Sequence, residues 1–299
     1  MQKFNKRLAA IVIELRPAQW LKNLFVFAGL IFSLSFVKLL PILQSLLGFV
    51  IFCLASSAVY IFNDIIDRES DALHNNKKNR PIASGILGIK LAIFVSILLF
   101  ALSISLSLLL NLYFFSTCLL YIILMIIYSL LLKKIIILDV ITIAFGFILR
   151  AVAGAVAIKV SISPWLLLTT FLIALFLALC KRRYELTSLG EYAGNHRKTL
   201  SQYSPYLLDQ MIAVVTASTV VTYSLYTLAR ETYLKFGTRF LGFTIPFVIY
   251  GIFRYLFLIH SKQRGGSPES TLLTDKPLLI DILLWGISSI FIIYFSQKI

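Results

Sequence analysis

Long apolar runs separated by short polar connections dominate this chain. Windows near twenty residues recur along it, the length an α-helix needs to cross a bilayer core of ~30 Å. They predict nine spans, at about 23–39, 42–63, 87–109, 113–132, 138–158, 164–181, 206–229, 240–260 and 277–296. A membrane β-barrel would need ten-residue strands of alternating polarity, whereas these runs are continuous. Pro41, Gly85, Pro164, Pro246 and Pro277 mark places where helices stop or kink. The third and fourth spans meet near Asn111, which predicts a tight helical hairpin. Residues 3–22 are interrupted by Lys3, Lys6, Arg7, Arg16, Pro17 and Lys22, a pattern that fits an interfacial amphipathic helix feeding the first span. They lack the compact apolar core and cleavage site of a signal peptide. The expected fold is an all-α polytopic membrane protein, one integral-membrane domain over 1–299 with an N-terminal interfacial segment at 1–22.

Composition agrees and adds an orientation. An apolar content of 59% and a mean hydropathy of +0.91 over 299 residues exclude a soluble globular protein. The net charge of +15 could suggest nucleic acid, but in a membrane protein basic residues set topology. With the N-terminus in the cytoplasm, 20 Lys and Arg residues fall on the cytoplasmic side and 6 on the other, with Arg150 and Arg254 inside spans. The long polar loops, about 64–86, 182–205 and 261–276, then face the cytoplasm, and nine spans leave the C-terminus outside. Cys53, Cys118 and Cys180 sit singly in apolar segments without metal or redox spacing and read as packing residues.

The densest polar stretch, Asn63 to Gly85, carries the candidate chemistry. Asn63, Asp67 and Asp71 are spaced i, i+4, i+8, so one helix would stack them on one face, with Asp64 beside them. Carboxylates stacked this way need a positive partner. Mg²⁺ suits them, because it takes one or two carboxylates together with substrate phosphate oxygens. Lys77, Lys78 and Arg80 follow and can hold the phosphates. His74 lacks metal-ligand company and reads as a loop hydrogen-bonder. Further polar groups end other spans: Lys22 with Asn23, Lys133 and Lys134 before Asp139, and Lys181, Arg182, Arg183 and Glu185 continuing to Glu191, His196, Arg197 and Lys198. Another runs from Arg264 through Asp275, which can contact a ribose or, the favoured reading, cap the last span. Snorkelling would by itself suffice for Lys22, and the positive-inside rule for Lys133 and Lys134, beside a role at substrate. Arg150, deep in an apolar span, must meet substrate phosphate or brace a carboxylate such as Asp139. The polar connections after spans two and six are offset by four helices, as are those after spans four and eight, a spacing that hints at duplication.

NDxxDxxxD at 63–71 followed by RPIASG at 80–85, after the second span, resembles the UbiA-type superfamily of intramembrane prenyltransferases. RPAQWLKN at 16–23, YSLLLKK at 128–134 with Asp139, GFILRAVAGA at 146–155, KRRYEL at 181–186 and GGSPESTLLTDKPLL at 265–279 resemble one branch of it. That branch is the polyprenyl-phosphate (decaprenyl-phosphate) 5-phosphoribosyltransferases. The resemblance implies transfer of a 5-phosphoribosyl group from phosphoribosyl pyrophosphate to a polyprenyl monophosphate, a decaprenyl-like lipid, with release of pyrophosphate, in a bacterial inner membrane. Asn63, Asp64, Asp67 and Asp71 would bind Mg²⁺, with the three aspartates as the catalytic set. Lys77, Lys78 and Arg80 would hold pyrophosphate or the ribose 5-phosphate, and Lys22 and Asn23 the lipid phosphate or the donor. Lys133, Lys134 and Arg150 are further candidates for substrate phosphate. Lys181, Arg182 and Arg183 would neutralise the other end of the donor, with Glu185 orienting one of them or touching a ribose hydroxyl.

One departure from the wider superfamily separates this branch from its relatives. Members with aromatic acceptors carry a second aspartate motif where this chain has Lys181, Arg182, Arg183 and Glu185. One acidic motif opposed by a basic one suits a donor richer in phosphate than a prenyl diphosphate. Prenyl transfer to an aromatic acceptor, in a quinone or haem pathway, is the alternative. A transporter would place ionisable groups at mid-membrane, whereas nearly all here lie at one face. Nucleic acid is not expected as a partner, since the charge is spread over topology-setting loops. Homo-oligomerisation and polyprenyl length are left open.

Overall fold

A computed structural model describes residues 2–33, 35–73, 77–189, 199–262 and 268–296. Its regular structure is helical, with no strand among the described residues, and it divides into two compact units, Met1–Ser161 and Ile162–Ile299. Eight helices are long and apolar enough to cross a membrane, four in each unit.

The first unit begins with α1 (Gln2–Leu15), whose Leu8, Val12 and Ile13 are exposed while Ala10 and Glu14 are buried. The long helices are α3 (Leu39–Ile66), α5 (Ile89–Ser107), α6 (Leu112–Leu130) and α7 (Leu138–Ala157). Short α2 (Ala28–Phe32) and α4 (Arg68–Ala72) precede and follow α3. The hairpin expected at Asn111 is built by that residue. Its Oδ1 accepts the Phe114 N–H at 2.9 Å, capping α6, and its Nδ2 donates to the Val156 carbonyl at 2.9 Å. Phe52 of α3 makes an edge contact with Phe114 (5.9 Å between centroids) and packs on Tyr121 at 5.2 Å, both from α6. Val26, Ile51, Ala55, Cys118 and Ala153 complete that core.

The expected first span departs from a continuous helix. Residues Pro17–Phe27 form a 3₁₀ helix, followed by α2 and a second 3₁₀ turn at Ser35–Val37. Close approach of two backbones is the physical reason. A Cβ on Gly154 would lie 1.8 Å from the Val26 carbonyl oxygen, and one on Gly29 would lie 2.8 Å from the Ala155 Cα. The narrower 3₁₀ coil lets the segment lie directly against the small-residue stripe of α7. Pro17 begins it, after Arg16 in the left-handed region (φ 52°).

In the second unit α8 (Pro164–Leu189), α9 (Pro205–Leu228), α11 (Ile245–Lys262) and α13 (Lys276–Ser296) are the long helices, with α10 (Arg230–Phe236) and α12 (Pro268–Thr274) between them. α8 continues beyond the expected end at 181, so Lys181–Leu186 is helical rather than a loop. Ser204 caps α9 by accepting the Leu207 N–H at 3.1 Å. Asp275 caps α13 by accepting the Leu278 N–H at 3.0 Å, as the sequence suggested. Trp285 donates to the Tyr223 hydroxyl at 2.8 Å, which in turn meets Thr244 at 2.7 Å. Large apolar side chains stay exposed along the spans, among them Phe94 and Ile97 on α5 and Leu283, Ile287 and Phe291 on α13. Such continuous apolar surface belongs in lipid, and the protein is an integral membrane protein.

Candidate active site

α3 ends at Ile66, Asp67 follows as its C-cap, and α4 resumes one residue later. The Asp67 N–H still donates to the Asn63 carbonyl (2.9 Å), and the Asp71 N–H to that of Asp67 (2.8 Å). The four-residue spacing therefore survives the break. The acids nonetheless sort into two groups rather than one stack. Asn63 and Asp67 share a cation, the Lys133 ammonium, which donates to Asn63 Oδ1 at 3.1 Å and to the Asp67 oxygens at 2.6 and 2.8 Å. Asp64 and Asp71 share another: Arg80 Nη1 donates to Asp64 Oδ1 at 3.0 Å and to Asp71 Oδ2 at 2.5 Å.

Further charges close around the second group. Arg16 Nη2 donates to Asp64 Oδ1 at 2.7 Å and also meets Oδ2, while its guanidinium lies over the Tyr60 ring at 5.1 Å. Lys77 stands 3.8 Å from Asp71. Asp64 and Asp71 are buried, at 1% and 3% exposure, and burial raises Asp71 above the usual carboxylate range against the pull of Arg80 and Lys77. Glu14 is buried beside them. Burial, a hydrogen bond with Asp64 and the Asp64 charge push its carboxyl up to about 7. The positive partner that stacked carboxylates require is thus supplied, in this arrangement, by Arg16, Arg80 and Lys133.

The donor set also fits a divalent ion. Among the described residues no group of three or more His, Cys, Asp or Glu side chains is arranged to hold a metal. Mg²⁺ needs less from a protein, one or two carboxylates with substrate phosphates and water completing its shell. Asn63 Oδ1 and the Asp67 carboxylate are hard oxygen donors already converging on one positive centre, and Asp67 is the most open of the three aspartates, at 28% against 1% and 5% for the Asp64 and Asp71 side chains.

Other expected site residues lie elsewhere. Lys22 donates to Gln19 at 2.6 Å. Asn23 is fully buried and belongs to a separate network with Arg150. The Arg150 Nε donates to Asn23 Oδ1 (2.7 Å), Nη1 to the Gly146 carbonyl (2.9 Å) and Nη2 to the Tyr121 hydroxyl (2.8 Å). Asn23 Nδ2 passes this on to Ser56 at 3.1 Å. Arg150 is 4% exposed and stacks on Tyr121 and Phe147, so its partners are neutral groups, and it fixes Asn23 in the core. Lys78 and Lys134 are exposed. Within the second unit, Arg182 pairs with Glu185 at 2.5 Å, Arg183 with Asp209, and Arg254 with Asp275 at 2.9 Å, while Lys181 is half-buried. His74, Glu191, His196, Arg197, Lys198 and Arg264 lie outside the described residues.

Glu14, Arg16 and Asp209 were not singled out from sequence. A lone acid in a basic amphipathic helix was the available signal for Glu14, and Arg16 entered the amphipathic pattern, the topology count and the RPAQWLKN motif without a site role.

Residues 23–273 match the family described as the UbiA prenyltransferase family. A decaprenyl-phosphate phosphoribosyltransferase from Corynebacterium glutamicum is 32% identical over 296 residues, covering 97% of this chain and 88% of that protein. Its namesake from Mycobacterium tuberculosis is 31% identical over 283 residues, covering 93% and 92%. Among solved structures, a UbiA homolog from Archaeoglobus fulgidus bound to GPP and Mg²⁺ superposes with a TM-score of 0.68 at 21% identity, covering 97% of this chain and 98% of that one. That likeness supports the fold.

Proposed function

The chain belongs to the UbiA prenyltransferase family and is a transferase, and on that premise we propose that it moves a 5-phosphoribosyl group from phosphoribosyl pyrophosphate to a polyprenyl monophosphate. The bond from ribose C1 to the pyrophosphate oxygen breaks, pyrophosphate leaves with the electron pair, and a lipid phosphate oxygen bonds to C1. The observation that carries this reading is the matched mixture of charges in the first unit. Arg16, Lys77, Arg80 and Lys133 each lie within ion-pair distance of Asp64, Asp67 or Asp71. A donor with several phosphates and a divalent ion can exchange partners there, acids taking the metal and bases the phosphates.

Asn63 and Asp67 would hold Mg²⁺, with Asp71 a turn further on. When bound, Mg²⁺ offsets charge on the departing pyrophosphate. Lys133, released from Asp67, and Arg80 and Lys77 would bind phosphate oxygens, and Arg16 would keep Asp64 neutralised while they do. The lipid phosphate is already an anionic nucleophile, so no strong general base is required and the work is positioning and electrostatics. Lys22 would meet the lipid phosphate, and Asn23, held by Arg150, would order the segment beside it. The roles of Lys181, Arg182, Arg183 and Glu185 stay those implied by the resemblance. We place the protein in a bacterial inner membrane with this site toward the cytoplasm, a reading supported by the distribution of 20 against 6 basic residues.

Purified protein supplied with Mg²⁺, labelled phosphoribosyl pyrophosphate and a polyprenyl phosphate should form a labelled lipid. Asp67→Ala should abolish it, and Lys133→Met should lower the rate by about 10²-fold or more, the usual loss when a transition-state charge partner is removed. Failure to label lipid, with prenylation of an aromatic acid instead, would overturn the proposal.

A further inference from the structure

Glu14 has no part in the chemistry above, yet it is 1% exposed and ties α1 to the polar turn after α4: its Oε1 accepts the Ile82 N–H at 3.0 Å. The turn itself shows why that amide needs a partner. Pro81 has no N–H, the Leu87 N–H returns to the Pro81 carbonyl at 2.8 Å, and the Ser84 N–H returns to that of Arg80 at 2.8 Å. Gly85, at φ 77°, reverses the chain. Ile82 and Leu87 insert at 1% exposure into an apolar cluster with Ala10 of α1 and Ala58 and Ile61 of α3. The Ile82 amide is thereby carried inward, where an unanswered donor is costly. Two residues before it stands Arg80, the cation shared by Asp64 and Asp71.

We propose that Glu14 is a positioning residue, through which α1 fixes the Arg80–Leu87 turn and so aims the Arg80 guanidinium at the acidic motif. Arg80 has four side-chain torsions, and holding its backbone two residues away removes part of the freedom it must lose to bridge both acids. The assignment of Arg80 to donor phosphate rests on the phosphoribosyl reading; the positioning itself does not.

Full-length protein in lipid nanodiscs is compared as wild type, Glu14→Gln and Glu14→Ala. Glutamine keeps an oxygen acceptor at the same reach, and alanine removes it. Amide hydrogen exchange in the peptide covering 80–87 should accelerate about tenfold or more in Glu14→Ala and stay within about twofold of wild type in Glu14→Gln, the effect of losing one buried hydrogen bond. In the labelled-lipid assay Glu14→Ala should raise the KM for phosphoribosyl pyrophosphate about tenfold while kcat changes by less than about threefold, and Glu14→Gln should restore KM. A residue that merely supports the fold would lower the active fraction, hence apparent kcat, without moving KM. Should Glu14→Ala not fold, Glu14→Asp, a methylene short of the amide, takes its place. Unchanged exchange in both variants, or Glu14→Gln behaving like Glu14→Ala, overturns the proposal. If wild type forms no labelled lipid, the phosphoribosyl reading fails, and the exchange result still decides the role of Glu14.

Discussion

Asp64 illustrates how far one buried carboxylate can be divided among charged neighbours. Arg16 and Arg80 both donate to it, and Glu14 competes for the same space with a second acid. Burial comes first among the causes that push the Glu14 carboxyl from its ordinary 4.5 to about 7, followed by the bond to Asp64 and its charge. A raised acid favours the folded state while protonated. Its stabilisation is full below pH 4.5 and is lost as pH rises through about 7. The thermal midpoint of the wild type should therefore fall between about pH 5 and pH 8 by on the order of a few °C more than that of Glu14→Gln, which has no proton to lose. Asp71, raised by burial, adds a slope of the same sign that both proteins share. Parallel profiles for the two would refute the assignment. The aspartates of this cluster were legible from spacing, as was their need for a positive partner, whereas Glu14 was not. The partner's identity was not, because Lys133 lies 66 residues from Asp67 and Arg16 lies 48 from Asp64. Hydropathy and local spacing carry no information on that pairing.

At the level of elements, the eight long helices begin and end within a few residues of the apolar windows, except that α8 runs on to Leu189 and the first window fails as a helix. Periodicity reports which side chains are apolar; it does not report how closely two backbones approach. Pro17 and the Ala-Val-Ala-Gly-Ala run at 151–155 were the available signs. Small residues on α7 admit the Pro17–Phe27 coil, and that closeness brings Asn23 to Arg150. Gly154→Ala should accordingly destabilise the protein sharply, because its Cβ would fall 1.8 Å from a backbone oxygen that cannot turn aside. Overpacking of this kind costs about 1–3 kcal/mol and often more when backbone must move. Gly88→Ala, where a Cβ meets nothing within 4 Å, should be nearly silent. Thermal unfolding of both variants in one detergent separates the two, and equal midpoints would show that the contact with Val26 is not tight.

For the whole molecule, the number of crossings fixes on which side the C-terminus lies, and the broken first segment decides that number. Eight long helices alone would return the C-terminus to the N-terminal side. The segment's contacts instead descend α3 from Asp64 to Gly48. Arg16 meets Asp64, Trp20 donates to Ser57 at 3.0 Å, Asn23 reaches Ser56 and Cys53, Phe27 packs near Phe49, and Val26 lies against Gly48. From Asp64 to Gly48 is roughly 24 Å along an α-helix at 1.5 Å per residue. The 11 residues of the first 3₁₀ stretch rise ~22 Å at 2.0 Å each, so so few residues suffice for that descent. Adding α2 and the turn at Ser35–Val37 brings the total to roughly 35 Å, enough for a hydrocarbon core of that order. We therefore predict that the segment is a ninth crossing in a stretched coil, antiparallel to α3, which agrees with the imbalance of 20 against 6 basic residues. With the N-terminus in the cytoplasm, a reporter fused after Ile299 should lie outside: alkaline phosphatase active, green fluorescent protein dark. The opposite pair of results would mean that residues 17–37 turn back within one leaflet, and the side assigned to every later loop would then reverse.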